Sequence, residues 1–165
     1  MKLLTFRKPD GGVSLFTVTS VPGDERTEAE ILDAEEVDLR APKVNGAGGK
    51  SQIVPDDWVR EADTDPAEVP QDRSFRNAWE PQAGKVEVSM TKAREIHKNR
   101  LREIRAPKLA ALDVEYQRAD EQGDAVAKAA IAAQKQALRD VTADPAIDAA
   151  KTPEELKAVL PAALR

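Results

Sequence analysis

The stretch from Thr91 to Val141 constrains this chain more than any other. A basic helical run and an alanine-rich helical run flank Gln122, Gly123 and Asp124, and a break that short forces the two helices antiparallel. In the first run Leu109, Leu112, Tyr116 and Ala119 follow a three-four-three spacing, the seam of a helix pair. Leu101 and Ile104 form the same kind of pair upstream, displaced by eight residues rather than seven. Pro107 stands inside that displacement and cannot donate to the carbonyl four residues back, so the spacing predicts a kink or a break there. In the second run Ala127, Ile131, Gln134, Leu138 and Val141 continue a four-three spacing, while Ala129, Ala130, Ala132, Ala133 and Ala137 leave little bulk on the flanks. Small residues let helices approach closely, and a coiled-coil-like tip of this kind invites a third or fourth helix from another copy.

The N-terminal half reads as short strands around a connector. Residues 2–7 and 13–19 flank Pro9, Asp10, Gly11 and Gly12, a strong hairpin signal, and Leu3, Leu4, Phe6, Val13, Leu15, Phe16 and Val18 are its apolar side chains. Pro22, Gly23 and Asp24 close it. Thr27 and Glu30 have capping-box spacing for a helix over residues 28–38, whose many acids, without a histidine among them, read as a solvated face. Residues 41–72 read as an irregular acidic connector around Trp58, and residues 73–90 as a second hairpin turning at Pro81–Gly84. The two hairpins together are expected to make one small antiparallel sheet. After Val141 a Thr-Ala-Asp-Pro break leads to Thr152, Pro153 and Glu155, the start of a short final helix that Pro161 stops.

The expected fold is therefore α+β: small N-terminal antiparallel β hairpins over 1–90, then an antiparallel helical hairpin and a short C-terminal helix over 91–165. With 4% aromatic and 33% charged residues, little apolar area is available per residue, which favours completing the core against copies or a partner. The aromatic interface candidates are Phe6, Phe16, Trp58, Phe75 and Trp79. On the helices they are Leu101, Ile104, Leu109 and Leu112, with Tyr116, Ile131 and Leu138 completing the set.

Chemistry leaves little trace. The chain has no cysteine, which excludes disulfides and thiolate chemistry, and no apolar run approaches the roughly 18 residues of a membrane span. The opening MKLLTF meets Arg7, Lys8 and Asp10 too soon for a signal-peptide core, and a cytosolic protein is expected. Gly49-Lys50-Ser51 matches the end of a phosphate-binding loop, but Val44 stands where the first glycine belongs. His97 has no second ligand at helical spacing, and no nucleophile elbow exists. No cofactor, metal or catalytic residue is expected.

Charge is divided unevenly. Residues 1–90 carry 11 basic and 18 acidic side chains, and residues 91–165 carry 14 and 12. The basic excess lies at Lys92, Arg94, Lys98, Arg100, Arg102, Arg105 and Lys108. A solvated helix face is the plain explanation; a phosphate-binding face for nucleic acid is the least favoured partner reading.

The blocks RSFRNAWE (73–80), KAREIHKNRLREIRAPKLAALDVEYQRADEQGDAVAKAAIAAQKQALRDV (92–141) and TPEELKAVLP (152–161) resemble a family of small proteins encoded among tail genes of tailed bacteriophages and prophages. The opening MKLLTFRKPDGG is similar to the start of some members, and residues 24–71 lie outside the resemblance. It implies a non-enzymatic tail or tail-fibre role in the virion after assembly in the host cytoplasm, with tail or fibre proteins and copies of itself as partners. An assembly chaperone that leaves the mature particle is the alternative. The resemblance supplies no active-site residues.

Overall fold

Strand β1 (Leu3–Arg7) is covered on both faces and both edges, and the N-terminal unit is built around it. Leu4 and Phe6 on one face and Thr5 on the other are fully buried. The computed structural model describes residues 2–18, 24–41, 43–44, 50–51 and 53–165, and the chain divides into Met1–Ser89 and Met90–Arg165.

β2 (Val13–Thr17) pairs antiparallel with β1, with Leu4 opposite Phe16 and Phe6 opposite Ser14. The connecting turn is closed by Gly11 N to Lys8 O at 2.9 Å, and the Asp10 carboxylate accepts from Gly12 N at 2.8 Å. Helix α1 (Glu28–Arg40) begins on the capping box: Glu30 N donates to Thr27 Oγ1, and Thr27 N donates to Glu30 Oε2. Its buried residues Ile31, Leu32 and Leu39 join Leu4, Phe6, Val18 and Val54 in one apolar cluster. Full burial of a side chain the size of Leu4 or Phe6 contributes about 1.5–3 kcal/mol.

Two-residue strands β3 (Lys43–Val44) and β4 (Lys50–Ser51) pair with each other, and β5 (Val59–Arg60) takes the second edge of β1. Beyond it Leu3 and Thr64 exchange main-chain bonds. The stretch expected as an irregular connector thus contributes to the first sheet. Gly46, Gly48 and Gly49 of the phosphate-loop-like stretch, and Pro22 and Gly23 after the first hairpin, lie outside the described residues.

The second hairpin, β6 (Trp79–Gln82) and β7 (Lys85–Val88), forms its own two-stranded ladder and does not extend the first sheet as expected. Pro81 is in the strand, opposite Val86, not in the turn. The turn is Ala83 at φ 50° and Gly84 at φ 82°, the pair of positive φ values whose twist matches a two-residue hairpin.

In the C-terminal unit α2 (Met90–Glu121) passes through Pro107 without a break. Glu103 and Pro107 are both exposed, so water can take the place of the missing amide at that carbonyl. The helix ends with Gly123 at φ 70°, its N–H bonded to Asp120 O at 3.0 Å and Asp124 N bonded to Ala119 O at 2.9 Å. Asp124 then starts α3 (Ala125–Asp140) by accepting from Ala127 N at 2.9 Å. One residue therefore finishes one helix and caps the next.

The break after Val141 carries a further helix that was not expected, α4 (Pro145–Ala149), before α5 (Pro153–Ala158). Both start alike, with Asp144 or Thr152 as the cap and proline in the first turn.

Candidate functional site

The first half of α2 is a row of caps for the segments that follow it. Arg94, His97, Arg105 and Lys108 recur at helical spacing along one side of the helix. Arg94 donates to Ile147 O at 3.3 Å and Ala150 O at 2.9 Å, the C-terminal end of α4. His97 Nε2 is 3.0 Å from Val159 O, at the end of α5. Arg105 donates to Leu138 O at 3.4 Å and Arg139 O at 2.7 Å, the end of α3. Lys108 Nζ donates to Leu164 O at 3.0 Å, closing the last turn, Ala162–Leu164. Four helical segments after α2 thus have one or two of their terminal carbonyls met by α2, three of the four by cations placed where the helix dipole favours positive charge.

This arrangement reassigns the basic run. Besides these caps, Lys98 reaches Asp148 at 3.6 Å and Glu95 at 3.7 Å. The cations that suggested a phosphate-binding face are largely engaged within their own unit. Beneath them Ala93, His97 and Leu101 are buried at a spacing of four, in the unit that also buries Leu138, Val141, Ile147, Leu156 and Leu164. Ile104, expected to pair with Leu101 in a seam, stays 45% exposed, whereas Leu101 is buried.

Beyond this clamp the two long helices stand with less cover. Leu109, Leu112, Tyr116, Ala127 and Ile131 are half-buried, Ala119 is buried, and Gln134 is exposed. Two ion pairs cross the hairpin, Lys135 to Asp113 at 2.5 Å and Lys128 to Asp120. The same two lysines lie over the Tyr116 ring, Lys135 at 5.0 Å and Lys128 at 5.4 Å from its centre, which holds the aromatic between two cations. Ala110, Ala111, Ala129, Ala130, Ala132, Ala133 and Ala137 are exposed. A groove of about 410 Å³ on this hairpin is lined by Ala111, Leu112, Ala137, Leu138 and Ala163 with Lys108 and Gln134.

Among the aromatic candidates Phe6, Phe75 and Trp79 are buried, as are Leu101 and Leu138. Phe16 packs edge-on to Phe6, ring centres 5.7 Å apart, and Trp58 is half-buried beneath Lys8 Nζ at 5.3 Å. Two acids of α1 are not simply solvated. Asp33 and Glu36 pair with Arg60 at 2.6 and 2.8 Å, and Arg60 also pairs with Asp63 at 2.9 Å. Arg40 holds Glu36 at 2.7 Å and donates to the carbonyls of Pro55 and Trp58. Burial raises the Glu36 pKa, but the bonds from Arg40 and Arg60 outweigh it and leave the carboxyl below its ordinary value.

Among the described residues no group of three or more His, Asp or Glu side chains could hold a metal ion, and no helix is long and apolar enough to cross a membrane. Sequence reasoning missed the clamp because a main-chain carbonyl has no residue type; its one visible trace was that the cations share a helix face. No protein-family model matches the chain, and neither a curated protein nor a solved structure matches it.

Proposed function

We propose that the chain is a non-enzymatic structural component of a bacteriophage tail, an adaptor whose helical hairpin bundles with copies of itself or with a tail or fibre protein. The half-covered seam of the distal hairpin carries this reading. Leu109, Leu112, Tyr116 and Ile131 remain half-buried, and exposed alanines flank them. A further helix laid along the groove by Ala111 and Ala137 would cover that seam at short interaxial distance. The resemblance of residues 73–80, 92–141 and 152–161 to proteins of phage tail genes supplies the setting.

Mass spectrometry of purified phage particles tests the setting. Presence at a copy number set by the tail's rotational symmetry supports an adaptor. Absence from particles, with a complex formed on unassembled fibre protein, replaces it with an assembly chaperone. Sedimentation equilibrium tests the bundling separately: Ala137→Glu puts a carboxylate on an exposed position of the groove and should shift an oligomer towards monomer. A wild-type chain that stays monomeric and captures no tail or fibre protein contradicts the proposal.

A further inference from the structure

The free edge of β2 is bordered by a groove that the contacts above do not use. In the order β2-β1-β5, β2 has one edge unpaired among the described residues. Lys8 N bonds to Gly12 O at 2.8 Å across the hairpin, so the alternate pairs Phe6–Ser14 and Leu4–Phe16 are the hydrogen-bonded ones. The main-chain groups of Val13, Leu15 and Thr17 therefore point outward from that edge. The opposite side of β1 agrees: Leu3 exchanges bonds with Thr64 at 2.7 and 3.0 Å, and Thr5 O accepts from Glu61 N at 2.9 Å.

The side chains of the same three residues share one face with Leu3, and that face meets a groove of about 390 Å³. Pro66, Val69, Pro70 and Trp79 also line it, as do Arg73 and Arg76. Trp79 is 3% exposed, and its indole Nε1 is a buried donor with no acceptor among the described residues. Arg73 and Arg76 are exposed and form no ion pair among the described residues. A smaller polar pocket of about 160 Å³, lined by Lys8, Asp10, Gly12, Val13, Arg76 and Asn77, meets the groove at Val13 and Arg76.

We infer that this edge accepts an extended segment of a partner protein as an added strand, with an acidic side chain near Arg76 at the Val13 end and an apolar side chain in the groove beside Leu15 and Trp79. Each unmet group calls for one feature of such a segment. Outward main-chain groups call for another main chain, the prolines, Val69 and Leu15 for an aliphatic side chain, and the free guanidiniums for a carboxylate. A second copy pairing through its own β2 does not fit, because Val13–Thr17 contains no acid. This inference lies outside the bundling reading and stands even if the hairpin never associates.

The test titrates the full chain with a short blocked peptide in which threonine alternates with, in turn, aspartate, leucine and valine. The chain has two tryptophans, so two indole N–H resonances report, and Trp79→Phe assigns them. The Trp79 resonance should move. Lysine in place of the peptide's aspartate should weaken binding by about tenfold, and the doubly substituted chain Arg73→Glu, Arg76→Glu should reverse that preference. Methylating the peptide's main-chain nitrogens should abolish binding. No shift at millimolar peptide, a shift indifferent to both charge reversals, or undiminished binding of the methylated peptide overturns the inference. So does self-association that protects the amides of Val13, Leu15 and Thr17 without peptide, which would make a second copy the occupant.

Discussion

His97 Nε2 lies 3.0 Å from the main-chain oxygen of Val159, so the neutral ring carries its proton on Nε2 and donates it to the end of α5. Burial pushes the His97 pKa below its ordinary 6.5; the Val159 carbonyl pulls upward, and the charge of Arg100 adds to the fall. The unfolded chain therefore takes up this proton first. The histidine's contribution is complete above the ordinary value and is lost as pH falls through the lowered one. Stability of the C-terminal unit should drop below about pH 6.5, by at most about 1.4 kcal/mol per pH unit. His97 is the one histidine of the chain, so His97→Gln, which keeps an N–H donor, should flatten this part of the profile. Urea unfolding followed by helical circular dichroism reads both proteins; an unchanged slope in the variant refutes the assignment.

Arg94 should matter more for stability than for binding. Its guanidinium spans two carbonyls at the end of α4, and hydrogen bonds to a charged group contribute about 1.5–3 kcal/mol. Arg94→Met should cost about 1–3 kcal/mol in urea unfolding, and Arg94→Lys should recover only part, because an ammonium lacks the planar fork. A loss below about 0.5 kcal/mol would place Arg94 among surface cations of little consequence.

The features legible in the sequence are those written in local chemistry. Thr27 with Glu30, Asp124 after Gly123, and Thr152 before Pro153 each announce a helix start, because the threonine or aspartate side chain itself makes the capping bond. β5 was not legible, because Val59 and Arg60 become a strand only by lying beside Arg7 and Phe6. Pro81 and Gly84 suggested a turn between them, whereas Pro81 fits a strand and Ala83 supplies the positive φ that its type does not announce. α4 carried the same Asp-Pro signal as α5 does with Thr-Pro, and its shortness hid it. The helix clamp shows the general limit: Arg94 and Arg105 are visible, but the carbonyls they meet belong to any residue.

Ala83 offers a stabilising change. An alanine at φ 50° pays the steric cost of the left-handed region, and asparagine with glycine is the preferred pair for this turn. Ala83→Asn should raise the stability of the N-terminal unit by about 0.5–1 kcal/mol. Both tryptophans, Trp58 and Trp79, lie in this unit, so their fluorescence follows its unfolding. A neutral or destabilising result would show that the turn does not hold these dihedrals in solution.

Gly123 should resist substitution for backbone reasons alone. A Cβ built there meets nothing within 4 Å, yet φ is 70°. Gly123→Ala should therefore cost about 1–2 kcal/mol, and Gly123→Asn clearly less, because asparagine tolerates that region. Equal costs for the two would point to something other than the left-handed backbone.

Thr5 and Thr64 make the sharpest test of the N-terminal core. Their hydroxyl oxygens are 2.8 Å apart, and both residues are fully buried although 59 positions separate them. Thr5 Oγ1 also lies 3.4 Å from Leu3 O, so Thr5 has a second outlet for its proton. Replacing either threonine by valine keeps the shape and leaves the other hydroxyl short of a partner, at a cost of about 1–3 kcal/mol. Thr64→Val should be the milder, because Thr5 can still donate to Leu3. The double variant removes both polar groups together and should cost less than the sum of the singles, with a coupling of about 1 kcal/mol or more. Strict additivity in tryptophan-monitored unfolding would mean that the two hydroxyls do not depend on one another.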